Sequence, residues 1–92
     1  MIVRILGEGQ FRLDSDIAFA LNAIDAALDI DLQQAHPAEF AAHLGDMQRL
    51  VRQHGVPLDD AELVPSDAVL PAEGSTLDEV RDFLKADGLV PG

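Results

Sequence analysis

Between Ile17 and Val51 apolar residues recur at helical spacing in two successive runs, and a proline stands between them. Ile17, Leu21, Ile24, Leu28 and Leu32 follow one another at steps of four, three, four and four. Such steps place the five side chains along one stripe of an amphipathic helix. Asp25 and Asp29 fall off that stripe. Asp14-Ser15-Asp16 precedes the run and supplies a helix start: short polar side chains cap free amides, and acids suit the positive end of the helix dipole. Phe40, Leu44, Met47 and Val51 repeat at four, three and four, with Leu50 widening the face. Pro37 suits the first turn of this second helix, where its missing N–H costs nothing. Arg49 and Arg52 lie near its C-terminal end, and Gly55 follows as a C-cap. Two helices with so short a connection predict a helical hairpin.

The flanks have a different period. Ile2 to Leu6 and Gln10 to Leu13 are short apolar runs around Gly7-Glu8-Gly9, which predicts a β-hairpin. With those three residues as the loop, Ile5 faces Phe11 and Val3 faces Leu13, and these four form the buried face. Arg4 then lies opposite Arg12 on the other face. A lone hairpin is marginal in water, so this one is expected to lie on the helices. Past residue 55 come four of the five prolines, with Asp59, Asp60, Glu62 and Asp67 in the same region. The run from Glu62 to Pro71 is too apolar for a free linker. It reads as an extended Pro-rich segment across the core, with a short strand at Ala68 to Leu70. Thr76 with Glu79 forms a capping box, and Ser75 with Asp78 is a near variant. Leu77, Val80, Phe83 and Leu84 give a third helix its apolar side, and Gly88 stops it before Leu89-Val90-Pro91-Gly92. The expected class is therefore α+β: an N-terminal β-hairpin packed on a helical hairpin, then the extended segment and a C-terminal helix. Residues 1–92 form a single domain.

Composition narrows the function. Seventeen Asp and Glu oppose six Lys and Arg, for a net charge of −11. A phosphate backbone would repel such a chain, as would a bare anionic membrane. A basic protein surface or a basic amphipathic helix would attract it. There are no cysteines, which removes disulfides, thiolate chemistry and cysteine-based zinc sites and points towards the cytosol. The N-terminus lacks the basic start and long apolar run of a signal peptide, and no apolar stretch is long enough to span a bilayer. A cytoplasmic protein is the expectation.

No chemistry stands out. His36, His43 and His54 are the only histidines. They form no His-Glu-x-x-His pattern, and helix ends account for His36 and His54. Ser15 and Ser75 belong to helix starts, and Ser66 sits in a local turn between Pro65 and Asp67. None occupies a nucleophile elbow. Carboxylate pairs such as Asp59-Asp60 and Asp78-Glu79 read as solvated loop and first-turn residues. Gly7-Glu8-Gly9 joins two strands and lacks the Lys-Ser/Thr of a phosphate loop. No catalytic residue, metal ligand or cofactor is expected. The Arg4 and Arg12 pair is more informative, because like charges opposite one another on a hairpin repel. Local neutralisation by an acid such as Glu8 or Asp14 is the expectation; without it, on so acidic a protein, the pair marks a contact for acidic groups.

The opening Met1-Ile2-Val3-Arg4-Ile5-Leu6-Gly7-Glu8-Gly9-Gln10-Phe11-Arg12-Leu13 resembles the start of the PspAA family, the PspA-associated proteins. So do Val51-Arg52-Gln53-His54-Gly55-Val56-Pro57-Leu58, Glu62-Leu63-Val64-Pro65-Ser66-Asp67 and Gly88-Leu89-Val90-Pro91-Gly92, in the same order. The resemblance implies a bacterial protein encoded beside PspA, a coiled-coil, ESCRT-III-like protein of the phage-shock response that protects the inner membrane under stress. It implies a non-enzymatic partner or regulator and supplies no catalytic residues.

The expected function is thus a small acidic adaptor that binds PspA and tunes its assembly or membrane engagement. It would be peripheral to the inner membrane only through that partner, without inserting itself. The candidate contacts are Arg4 and Arg12 on the hairpin, and Glu62 and Asp67 in the segment. The alternative is a small-molecule or metal-sensing binding module; an enzyme ranks last. Self-association through the alanine-rich helices or an open sheet edge is also compatible with the pattern.

Overall fold

Four short strands form one mixed sheet, and two long helices pack on a single face of it. A computed structural model describes residues 1–59, 61–62 and 64–87, the last five of these through the backbone alone. The elements in chain order are β1 (Ile2–Ile5), β2 (Gly9–Arg12), α1 (Ser15–Gln34), α2 (Pro37–His54), β3 (Val56–Pro57), β4 (Ala68–Leu70) and α3 (Leu77–Asp87). The sheet order is β3-β2-β1-β4. β1 pairs antiparallel with β2 and parallel with β4, and β2 pairs antiparallel with β3. The hairpin, the packed helices and the C-terminal helix are as the sequence predicts, and so is the strand at Ala68–Leu70. Within the expected extended run only Ala68–Leu70 forms a strand, β4 beside β1, while Val56–Pro57, ahead of that run, pairs with β2 as β3, so the hairpin becomes part of a four-stranded sheet. Leu63 of that run, Asp60 and the expected helix stop and tail beyond Asp87 lie outside the described residues, as do the side chains of Phe83 and Leu84.

The hairpin register differs from expectation by two residues. Ile2 pairs with Arg12, Val3 with Phe11, Arg4 with Gln10 and Ile5 with Gly9. The loop is Leu6-Gly7-Glu8, closed by the Glu8 amide on the Ile5 carbonyl at 2.9 Å. Gly7 turns the chain at φ +85°, a conformation open to glycine at no steric cost, so reversal comes one residue earlier than expected. A shift of two preserves side-chain parity. Val3, Ile5 and Leu13 are therefore buried as predicted, with Phe11 half-buried beside them. The charge pairing, by contrast, changes: Arg4 opposes Gln10 rather than Arg12, and the direct like-charge contact does not arise.

The core lies between the sheet's inner face and the helices. Leu21 and Leu28 of α1 are buried against Phe40, Leu44, Met47 and Val51 of α2, with Ile17, Ile24 and Leu32 packed at the margin. Both predicted stripes thus face the core. Each fully buried side chain of this size contributes roughly 1.5–3 kcal/mol. Leu70 of β4 and Leu77 of α3 complete the cluster.

Caps fix the helix ends. The Asp14 carboxylate accepts from the Ile17 amide at 3.0 Å. Thr76 and Glu79 form the reciprocal capping box, each accepting from the other's backbone N–H at 3.2 Å. Ser75 instead donates to the Ala72 carbonyl. The chain reverses between α1 and α2 at Ala35, which adopts a left-handed φ of 56° without being glycine. α1 has no cation in its own last turn, and Arg81 of α3 donates to its Leu32 carbonyl at 2.9 Å. Gln48, buried on α2, donates to the Pro71 carbonyl at 3.0 Å and holds the chain leaving β4.

Candidate functional surface

The outer sheet face carries Ile2, Arg4, Gln10 and Arg12, because these alternate with the inward-facing Val3, Ile5, Phe11 and Leu13. Val56, beside Arg12, and Val69, beside Arg4, extend it and are 62% and 52% exposed. The chain leaving β3 folds over part of this face. The Leu58 amide donates to the Gln10 carbonyl, and the Gln10 side chain donates to the Val64 carbonyl at 2.9 Å and the Ser66 hydroxyl at 2.7 Å. Gln10 is thereby buried although its face is otherwise open. Between segment and sheet lies a cleft of about 310 Å³ lined by Arg4, Gln10, Leu58, Asp59, Glu62 and Val64.

The fold thus brings Arg4 and Glu62 to one cleft, a cation and a carboxylate at a shared mouth. Arg12 shares the face but not the cleft. Asp67 is engaged elsewhere: its carboxylate accepts from the Ile2 amide, and its own amide donates to the Ile2 carbonyl, both at 2.7 Å. These bonds extend the β1–β4 ladder by one step. Neither acid expected to neutralise the arginines does so. Asp14 caps α1, and Glu8 takes two hydrogen bonds from Arg52 of α2, at 2.7 and 2.6 Å. The Arg52 donors hold the Glu8 carboxyl below its ordinary value near 4.5, and Glu8 in turn raises the guanidinium. Glu73 stands 3.6 Å from the same guanidinium. Among the described residues neither Arg4 nor Arg12 forms an ion pair.

One polar cluster went unread in the sequence. Asp31 is buried on α1 at 4% exposure, and its carboxylate contacts Nδ1 of His43 on α2, with His36 Nδ1 4.0 Å away. A buried carboxylate needs such a partner, so this contact ties the helices together near their connection. The signal was present: Asp31 lies seven residues past Ile24 and fourteen past Ile17, a position where the stripe calls for an apolar residue. Among the described residues no group of three or more metal-ligating side chains gathers. No described helix is long and apolar enough to cross a membrane. A second groove, of about 350 Å³ and largely apolar, lies between α1, β4 and α3 and is lined in part by Leu28, Leu32, Leu70 and Val80.

These features define a small α+β domain: a mixed four-stranded sheet with a helical hairpin on one face and an ionic cleft on the other. The family model for PspA-Associated protein, PspAA, matches residues 1–92, and the chain belongs to that family. No curated protein and no solved structure matches it.

Proposed function

We propose that this protein is a non-enzymatic adaptor that binds a PspA-like coiled-coil protein and tunes its assembly or its engagement with the membrane. The observation that carries this reading is the family match over the full chain, since the family is described by its association with PspA. The charge supports it: at −11 the protein is electrostatically suited to a basic helical surface and unsuited to nucleic acid or a bare anionic bilayer. Membrane proximity then comes through the partner, and the working compartment is the cytoplasm. In a pull-down from the native host, PspA is expected in the eluate and depleted from it at high salt. A folded, abundant bait that recovers no PspA would end this reading. The apolar groove favours a second reading, a module for a small apolar molecule, which predicts a ligand-dependent rise in melting temperature.

A further inference from the structure

α1 has a second apolar stripe, on the side away from the core. Phe19, Ala23, Ala26 and Ile30 follow at steps of four, three and four, the same spacing that builds the buried stripe. All four are exposed. Phe19 is 78% exposed and Ile30 51%, large side chains that a solvated helix face gains nothing by carrying. At 1.5 Å per residue they stand about 16 Å apart along the axis, roughly three turns. The two alanines between them form a low saddle bounded by two large side chains, a relief into which ridges of another helix can settle.

The charges around the stripe select the occupant. Asp16 and Asp29 are exposed on α1 beside the stripe, and the helix has no Lys, Arg or His between Ser15 and Gln34. A second copy would set these acids against their equivalents with no cation on either helix. An anionic bilayer would meet the same repulsion. A helix with an apolar seam flanked by Lys or Arg satisfies both features: its seam covers Phe19 and Ile30, and its flanks face the aspartates.

We propose that the outward face of α1 is a docking surface for one amphipathic helix of a protein partner, with Phe19 and Ile30 as anchors and Asp16 and Asp29 selecting a basic rim. This deepens the adaptor reading and rests on it only for the partner's identity. It moves the principal contact away from Arg4 and Arg12, which lie on the sheet.

The test uses the full chain, the Phe19→Glu/Ile30→Glu variant and an Arg4→Ser/Arg12→Ser variant. Two probes are titrated by fluorescence anisotropy: a synthetic helix with Leu at the seam and Lys on its flanks, and purified cognate PspA. The added glutamates would tighten a purely electrostatic association with a basic helix, whereas docking on the stripe predicts the opposite. The Glu variant is expected to bind the synthetic helix roughly tenfold more weakly or worse. The Ser variant should stay within about twofold of wild type, and both melting temperatures should hold, since the changed side chains lie in water. The milder Phe19→Ala/Ile30→Ala pair, which favours the helix, is expected to weaken binding in the same direction. Undiminished binding by the Glu variant, or no binding of the synthetic helix to wild type, would overturn the proposal. PspA that binds wild type and both variants alike would overturn it while leaving the adaptor reading intact. Stripe-dependent binding of the synthetic helix without PspA binding would support the surface and end the adaptor reading.

Discussion

Two small residues, the C-caps of α1 and α2, show how backbone and space make separate demands. Ala35 turns the chain between the helices at φ 56°, in the left-handed region that glycine enters without penalty and alanine does not. Ala35→Gly is therefore expected to stabilise the protein, by up to about 1 kcal/mol, as a higher urea midpoint with an unchanged slope. Gly55, which follows α2, has an ordinary extended backbone at φ −79° and ψ 151°, so its requirement is for room. A Cβ there would lie 2.5 Å from the Val51 carbonyl oxygen and 2.9 Å from the Phe11 Cβ. Gly55→Ala is expected to cost about 1–3 kcal/mol, as overpacking does in a filled core; an unchanged midpoint would contradict this account of the contact. The sequence flagged Gly55 as a cap, yet part of the crowding comes from Phe11 and Leu13, more than forty residues away in the chain, which no local pattern encodes. Ala35 gave no signal at all, because alanine is the least expected residue at a left-handed turn.

Elements were legible wherever period and capping agreed. Both helical stripes, the Asp14 cap and the Thr76–Glu79 box could be read from spacing alone, since each depends on residues within a turn or two. What the sequence left open was pairing between distant segments, the parallel β1–β4 ladder and the strand at β3; the expected hairpin register was off by two because the loop begins one residue earlier. The same limit applies to charge. Arg52 read as a cation suited to the end of α2, and in the structure it also clamps the hairpin tip through Glu8. Glu8 has a lowered pKa when folded, so its contribution is present above its unfolded value near 4.5 and is lost as pH falls through the folded value. Glu8→Gln is expected to cost up to about 1 kcal/mol at neutral pH, the range for a half-exposed pair. The variant and wild-type stability curves should meet below pH 4.5. A gap that persists under acid would show that the contact acts through packing rather than charge. Of the candidate contacts, the structure joins Arg4 and Glu62 at the cleft and engages Asp67 in the sheet. The exposed Phe19 stripe was readable by the same spacing rule as the core stripe, but spacing does not say which stripe faces inward.

At the scale of the whole molecule, charge and family membership point the same way. Seventeen acids against six Lys and Arg give a field that acts at a distance, and the PspAA match covers all 92 residues. Salt separates long-range attraction from packing, because the screening length falls from about 10 Å at 0.1 M salt to about 3 Å at 1 M. The decisive measurement is a calorimetric titration of the purified protein against its cognate PspA at those two salt concentrations. Saturable binding at low salt, weakened roughly tenfold or more at high salt, is the predicted result. No heat of binding at either salt, or an affinity that salt leaves untouched, would contradict the electrostatically assisted adaptor on which this account rests.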